Sequence, residues 1–122
     1  MHNTGQELLV DLYDCAADVL DNPSELEKIL LDMASAAGFQ VVSRVTHQFT
    51  HQGATLVLIL SQSHLALHTW PEDRFAAADV YVCGATDQVA CALEIVRERL
   101  IAKFQPRFFS HHIVERGLDF QK

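Results

Sequence analysis

The chain has 122 residues, 49% hydrophobic and 20% charged, which is enough for one domain with a buried core and unlike a disordered composition. Nine Lys and Arg against sixteen Asp and Glu give a formal net charge of −7, so no nucleic-acid partner is expected, because phosphate binding draws on clustered basic residues. The longest apolar run, Leu56 to Leu60, is far too short to span a bilayer, and no membrane partner is expected either.

Leu8, Val10 and Leu12 alternate with Leu9, Asp11 and Tyr13, which predicts a strand over about 7–14, with an amphipathic helix as its competitor. Asn22-Pro23-Ser24-Glu25 reads as a helix start, with Asn as N-cap, Pro at the first helical position and Glu three residues after the cap. Leu26, Ile29, Leu30, Met33 and Ala37 follow at helical spacing, and Gly38 sits where a C-cap glycine belongs. Gln40 to Phe49 predicts a second strand, and Thr55 to Leu60 a central one. From His64 to Trp70, Leu65, Leu67 and Thr69 face one way and His64, Ala66, His68 and Trp70 the other. Pro71-Glu72-Asp73-Arg74 breaks that strand. Ala78 to Cys83 forms the next, with Asp79, Tyr81 and Cys83 on one side. Thr86 or Asp87 starts a second helix buried through Val89, Leu93, Val96 and Leu100, and Arg107 to Val114 is a last strand.

Adjacent strands without crossover helices must be largely antiparallel, and two helices can cover only one face of their sheet. The expected fold is α+β, a two-layer sandwich of a mostly antiparallel sheet with two helices on one face. The other face is expected to be covered by a second subunit. The first residues show no basic stretch leading into an apolar core, the mark of a secretory signal. Cys15, Cys83 and Cys91 cannot all pair, and none has Cys-x-x-Cys spacing; thiols in a reducing cytoplasm are expected. Arg97, Arg99, Lys103 and Arg107 read as a solvated face.

The chemistry lies in the run 61–84, where Ser63, His68 and Cys83 fall on neighbouring strands. A serine hydroxyl is a weak nucleophile and needs a base and an oxyanion partner. Hydrolase serines sit on glycine-flanked elbows, whereas Ser63 has Gln62 and His64 beside it. A strand-end serine has another option: attack on the carbonyl of its own preceding residue. The amide becomes an ester, β-elimination breaks the chain, and the dehydroalanine left behind hydrolyses to a pyruvoyl group. That ketone binds a substrate amine and draws off the electrons left by departing carbon dioxide.

The run Ser63-His64-Leu65-Ala66-Leu67-His68-Thr69-Trp70-Pro71-Glu72 closely resembles the processing site of the prokaryotic S-adenosylmethionine decarboxylase proenzymes. The resemblance extends to Tyr13-Asp14-Cys15, Val19-Leu20-Asp21-Asn22, His47-x-Phe49 and Val114-Glu115-Arg116-Gly117. It implies one decarboxylase proenzyme domain over 1–122, cut between Gln62 and Ser63 into a β chain 1–62 and an α chain 63–122. Ser63 would become the pyruvoyl cofactor, His68 would assist elimination, Thr55 would support the ester and Cys83 would donate a proton to the decarboxylated carbon. Phe49 and Trp70 correspond to positions near the adenine and sulfonium, for which aromatic faces are suited. Glu72 would hold ribose hydroxyls. The implied product supplies aminopropyl groups for spermidine and other polyamines, and the implied assembly is a homodimer of processed chains.

The sequence departs from the family pattern at several points. Gln62 stands where the family has Glu, and Thr55 where it has Ser. Thr50-His51-Gln52-Gly53 replaces a proline-bearing loop, and Pro71-Glu72-Asp73-Arg74-Phe75 replaces Pro-Glu-Tyr-Gly-Tyr. The new charges open a second reading, in which the same machinery acts on arginine or ornithine, Asp73 meeting a distal cation and Arg74 a carboxylate. Gln62 opens a third, an unprocessed paralogue that regulates or pairs with an active one.

Apart from the resemblance, Ser63 reads as a strand-edge hydroxyl, His68 as a hydrogen-bonded imidazole and Cys83 as a small buried hydrophobe, the plain reading also kept for Cys15 and Cys91. The histidines do not point to a metal, since His64 and His68 lie more than about 12 Å apart along a strand. Phe104, Phe108, Phe109 and Phe120 suit core packing or a dimer contact.

Overall fold

A computed structural model describes residues 5–61, 63–84 and 86–117. The N-terminal alternation resolves as strand β1 (Gly5–Tyr13), whose Leu8, Val10 and Leu12 turn into the core. A short helical turn, α1 (Ala17–Leu20), leads to helix α2 (Pro23–Ala37). Asn22 caps α2, its side chain accepting from the Glu25 amide at 3.1 Å. Gly38 ends the helix with φ 81°, a left-handed conformation that glycine adopts without a Cβ penalty. Strands β2 (Val41–Gln48), β3 (Ala54–Leu60) and β4 (Ser63–Trp70) follow as hairpins, then a single 3-10 turn over Pro71–Asp73 and strand β5 (Phe75–Cys83). Helix α3 (Thr86–Phe104) and strand β6 (Phe108–Arg116) complete the described chain.

The six strands form one sheet in the order β2-β3-β4-β5-β1-β6, and every neighbouring pair is antiparallel. The expected two-layer α+β sandwich is therefore present, with the sheet wholly antiparallel. On the helix side, Leu56, Leu58, Leu65, Leu67, Val80 and Val82 pack under Leu26, Leu30 and Met33 of α2 and Leu93, Val96 and Leu100 of α3. Each such side chain contributes about 1.5–3 kcal/mol by leaving water. Phe104 is fully buried in this core, whereas Phe108 and Phe109 stay exposed on β6; Phe120 lies outside the described residues. Cys91, read from sequence as a small buried residue, is exposed instead, because it falls on the outer side of α3.

Among the described residues, no helix covers the opposite face of the sheet. Leu9, Val45, Ile59, Phe108 and Val114 all lie on it, and each is exposed. The strand over Thr55–Leu60 thus has one face buried in the helix layer and the other open. Among the described residues no helix is long and apolar enough to cross a membrane.

Candidate active site

Two groups of side chains occupy this sheet, one toward each end of β4. The first forms because β3 and β4 are a tight hairpin whose register sets Thr55 opposite His68. The Thr55 hydroxyl lies 2.9 Å from His68 Nδ1. Beside them runs a row of rings: His68 to Trp70 at 6.2 Å, Trp70 to Phe49 at 6.4 Å and to Phe75 at 5.6 Å, Phe75 to Tyr13 at 5.2 Å, and Tyr13 stacked on Phe108 at 4.7 Å. Five different segments supply this row.

The backbone at that end is pinned from beneath. Thr69 is fully buried; its hydroxyl donates to the Leu20 carbonyl at 2.8 Å and accepts from the Ala54 amide at 3.0 Å. The Gly53 amide donates to Asp21 at 2.8 Å, and its carbonyl accepts from the Phe49 amide at 2.9 Å. Gly53 has φ 90°, and a Cβ there would lie 2.4 Å from the Thr69 carbonyl oxygen. Only glycine allows this approach, which sets Phe49 beside Trp70.

Glu72 and Asp73 are exposed on the turn after Trp70. Arg74 adopts φ 51°, and its Nε donates to the Cys15 carbonyl at 3.2 Å and lies 3.4 Å from Asp14 Oδ1. The Cys15 amide returns a bond to the Arg74 carbonyl at 2.9 Å. The Arg74 guanidinium is thus engaged at the end of β1.

The second group lies at the opposite end of β4. Ser63 is the first residue of the strand, paired with Leu60 across the hairpin. Ser63 and Cys83 both border a cavity of about 570 Å³, shared with Phe39, Gly84, Gln88 and Ile95, where the ends of β3, β4 and β5 meet α2 and α3. Gln62, the residue expected before the cut, lies outside the described residues. Cys83, Tyr81 and Asp79 share the open face, as alternation predicts. His64 Nε2 lies 2.7 Å from Asp79 Oδ2.

The structure therefore sets Ser63 and Cys83 on the border of one cavity and His68 against Thr55, with the two pairs at opposite ends of β4. Five strand residues, about 16 Å, separate Ser63 from His68. Their odd and even positions also put them on opposite faces of β4. The ring contacts of Tyr13, Phe75 and Phe108 do not follow from the sequence, because strand parity is visible there but not which strands adjoin.

A histidine and two carboxylates, Glu7, His64 and Asp79, bring possible ligand atoms within 4.8 Å of one another. Each is engaged already: His64 with Asp79, and Glu7 with Arg116 at 3.3 Å. No metal role is assigned to them.

The sequence profile described as S-adenosylmethionine decarboxylase matches residues 6–117. The S-adenosylmethionine decarboxylase proenzyme of Methanococcus aeolicus is 35% identical over 117 residues, covering 96% of this chain and 97% of the relative. The proenzyme of Acetivibrio thermocellus is 40% identical over 103 residues, covering 84% of this chain and 83% of its own. The crystal structure of the adenosylmethionine decarboxylase from Aquifex aeolicus VF5 matches with a TM-score of 0.82 at 31% identity, over 96% of this chain and 93% of that one. With sheet, helices and nearly the full length of each chain in common, this chain belongs to the S-adenosylmethionine decarboxylase family.

Proposed function

We propose that residues 1–122 form one proenzyme domain that cuts itself between Gln62 and Ser63 and then decarboxylates S-adenosylmethionine, feeding spermidine and polyamine synthesis in the cytoplasm. The observation that carries this reading is the position of Ser63. It opens a strand at a short hairpin connection and borders, with Cys83, a cavity of about 570 Å³. A cut there severs the connection but leaves the β3–β4 ladder from Leu60–Ser63 to Thr55–His68 to hold both fragments. A pyruvoyl group at residue 63 fits that place, at a strand end beside a cavity with a thiol on its wall.

When formed, the group supplies a carbonyl that binds the substrate amine and withdraws the electrons released with carbon dioxide. The chain's own residues do the rest. Thr55 and His68, 2.9 Å apart, supply a hydroxyl to support the ester and an imidazole to take the proton lost in elimination. Cys83 returns a proton to the substrate carbon. Phe49 and Trp70 give aromatic faces to a flat base and a sulfonium cation, and the exposed Glu72 is placed for ribose hydroxyls. With Arg74 committed to Asp14 and Cys15, an amino-acid substrate loses its proposed carboxylate partner, which favours S-adenosylmethionine over arginine or ornithine.

The active assembly is a homodimer in which two open faces meet. Leu9, Val45, Ile59, Phe108 and Val114 supply its apolar contact. A two-fold axis across the strands would bring Thr55 and His68 of one protomer toward Cys83 of its partner, at the strand end that carries Ser63.

Intact-mass analysis tests the proposal. Wild-type protein should give two fragments meeting at residues 62 and 63, and Ser63→Ala a single chain. The processed protein should release carbon dioxide from S-adenosylmethionine faster than from arginine or ornithine. A full-length wild-type chain with no pyruvoyl group would overturn the reading, in favour of an unprocessed partner protein.

A further inference from the structure

The strand neighbours of Cys83 include an unfilled position. Gly5 of β1 stands directly opposite Cys83 on one side and opposite Arg116 of β6 on the other. Tyr81, two residues before Cys83 on the same face, occupies that gap. A Cβ on Gly5 would lie 2.5 Å from the Tyr81 hydroxyl oxygen and 2.6 Å from Cε1, so the phenol lies directly over the glycine. The Arg116 guanidinium sits 4.9 Å from the ring centroid, and Glu7 holds Arg116 at 3.3 Å. The His64 ring lies 6.4 Å away on the β4 side, itself engaged by Asp79. The ring is thus held from β6 and bordered by β4, with its hydroxyl over Gly5, the cross-strand neighbour of Cys83.

We infer that Tyr81 is a positioning residue for Cys83, its hydroxyl donating to the sulfur and stabilising the thiolate that remains once Cys83 has given up its proton. The inference rests on the reading of Cys83 as proton donor. In that step the S–H bond breaks, a C–H bond forms on the substrate carbon, and the sulfur carries the negative charge. The Tyr81 O–H stays intact and points its dipole at the sulfur, and a solvent proton then restores the thiol. The charged and titratable groups around the phenol are Glu7 of β1, His64 of β4, Asp79 and Cys83 of β5, and Arg116 of β6. Its pKa is raised above the ordinary phenol value, first by the hydrogen bond to Cys83, then by desolvation and the Cys83 charge, against the lowering pull of Arg116. The shift favours the protonated phenol, the form that can donate a hydrogen bond.

The test is the pH dependence of Cys83 alkylation by iodoacetamide, read by peptide mass. It uses the full-length Ser63→Ala chain carrying Cys91→Ser; Cys15 is buried and does not compete. Tyr81→Phe should raise the alkylation midpoint by about one pH unit and slow the reaction near neutrality about tenfold. Gly5→Ala, whose methyl displaces the hydroxyl, should move it the same way. Conversely, the ultraviolet titration of Tyr81 should shift to lower pH in Cys83→Ala. An unchanged midpoint in Tyr81→Phe, or an unshifted phenol titration in Cys83→Ala, overturns the inference. Because the unprocessed chain is used, the outcome is independent of substrate. A midpoint shift without carbon dioxide release in the wild type would sink the proposed activity and leave the Tyr81–Cys83 pairing standing.

Discussion

The Thr55 hydroxyl lies 2.9 Å from His68 Nδ1, and the two residues face each other across the β3–β4 hairpin. This contact fixes the imidazole's orientation, because one ring nitrogen is held by the hydroxyl and Nε2 is left to exchange a proton. It also explains how threonine can stand where relatives are expected to carry serine: the hydroxyl is kept, and the β-branched methyl suits a strand.

Removing that hydroxyl should therefore slow self-cleavage more than it disturbs the fold. Thr55→Val is expected to slow fragment formation about 10- to 100-fold, the worth of a hydrogen bond to a group that becomes charged. Thr55→Ser should process within a few-fold of wild type. The time course of the two fragments in intact-mass spectra checks both, with circular dichroism as the control for folding.

The separation of Ser63 from His68 leads to a mixing experiment. His68→Ala keeps the Ser63–Cys83 end intact, while Cys83→Ala keeps the Thr55–His68 pair. If one site draws on two protomers, co-refolding the variants in equal amounts should regenerate about one quarter of wild-type activity, since half the dimers are mixed and each holds one complete site. Either variant alone should be inactive. A mixture as inactive as its parts would show that processing and catalysis are confined to one chain.

Much of this arrangement was legible from local pattern. Strand parity alone puts Ser63 and His68 on opposite faces, and it groups His64, His68 and Trp70 with Tyr81 and Cys83 once β4 and β5 are known to pair. The caps of α2 at Asn22 and Gly38 were equally plain. What local pattern lacks is strand order. Nothing near Tyr13 says that β1 lies between β5 and β6, so its stacking on Phe75 and Phe108 could not be read. The start of β5 was placed three residues late, because Ala76, Ala77 and Ala78 carry little strand preference; pairing with β1 and β4 on both sides supplies it.

Gly53 offers a test of how the aromatic row is held. At φ 90°, with the Thr69 carbonyl 2.4 Å from where a Cβ would stand, Gly53→Ala must shift the 49–53 turn or the end of β4. It is expected to cost about 2–4 kcal/mol of stability through left-handed strain plus the clash. It should also weaken substrate binding by displacing Phe49 from Trp70. Urea unfolding measures the first effect and the ratio of KM to kcat the second; a fully stable variant with unaltered KM would show that the turn yields without effort.

Cys15 predicts a pH dependence of stability. The thiol is fully buried at the end of β1, and its pKa rises from 9.0 to about 11, mainly through burial and then through the Asp14 charge, with Arg74 pulling the other way. The fold thus favours the protonated thiol, while the unfolded chain ionises near pH 9. The associated stability is complete below that pH and is lost as pH climbs toward 11, amounting to about 2–3 kcal/mol for a shift of this size. Urea midpoints measured from pH 8 to 11 should fall more steeply for wild type than for Cys15→Ala, whose lower starting stability reflects a small cavity. Parallel curves would mean that the thiol ionises without unfolding, and that the Asp14, Cys15 and Arg74 corner opens to solvent at alkaline pH.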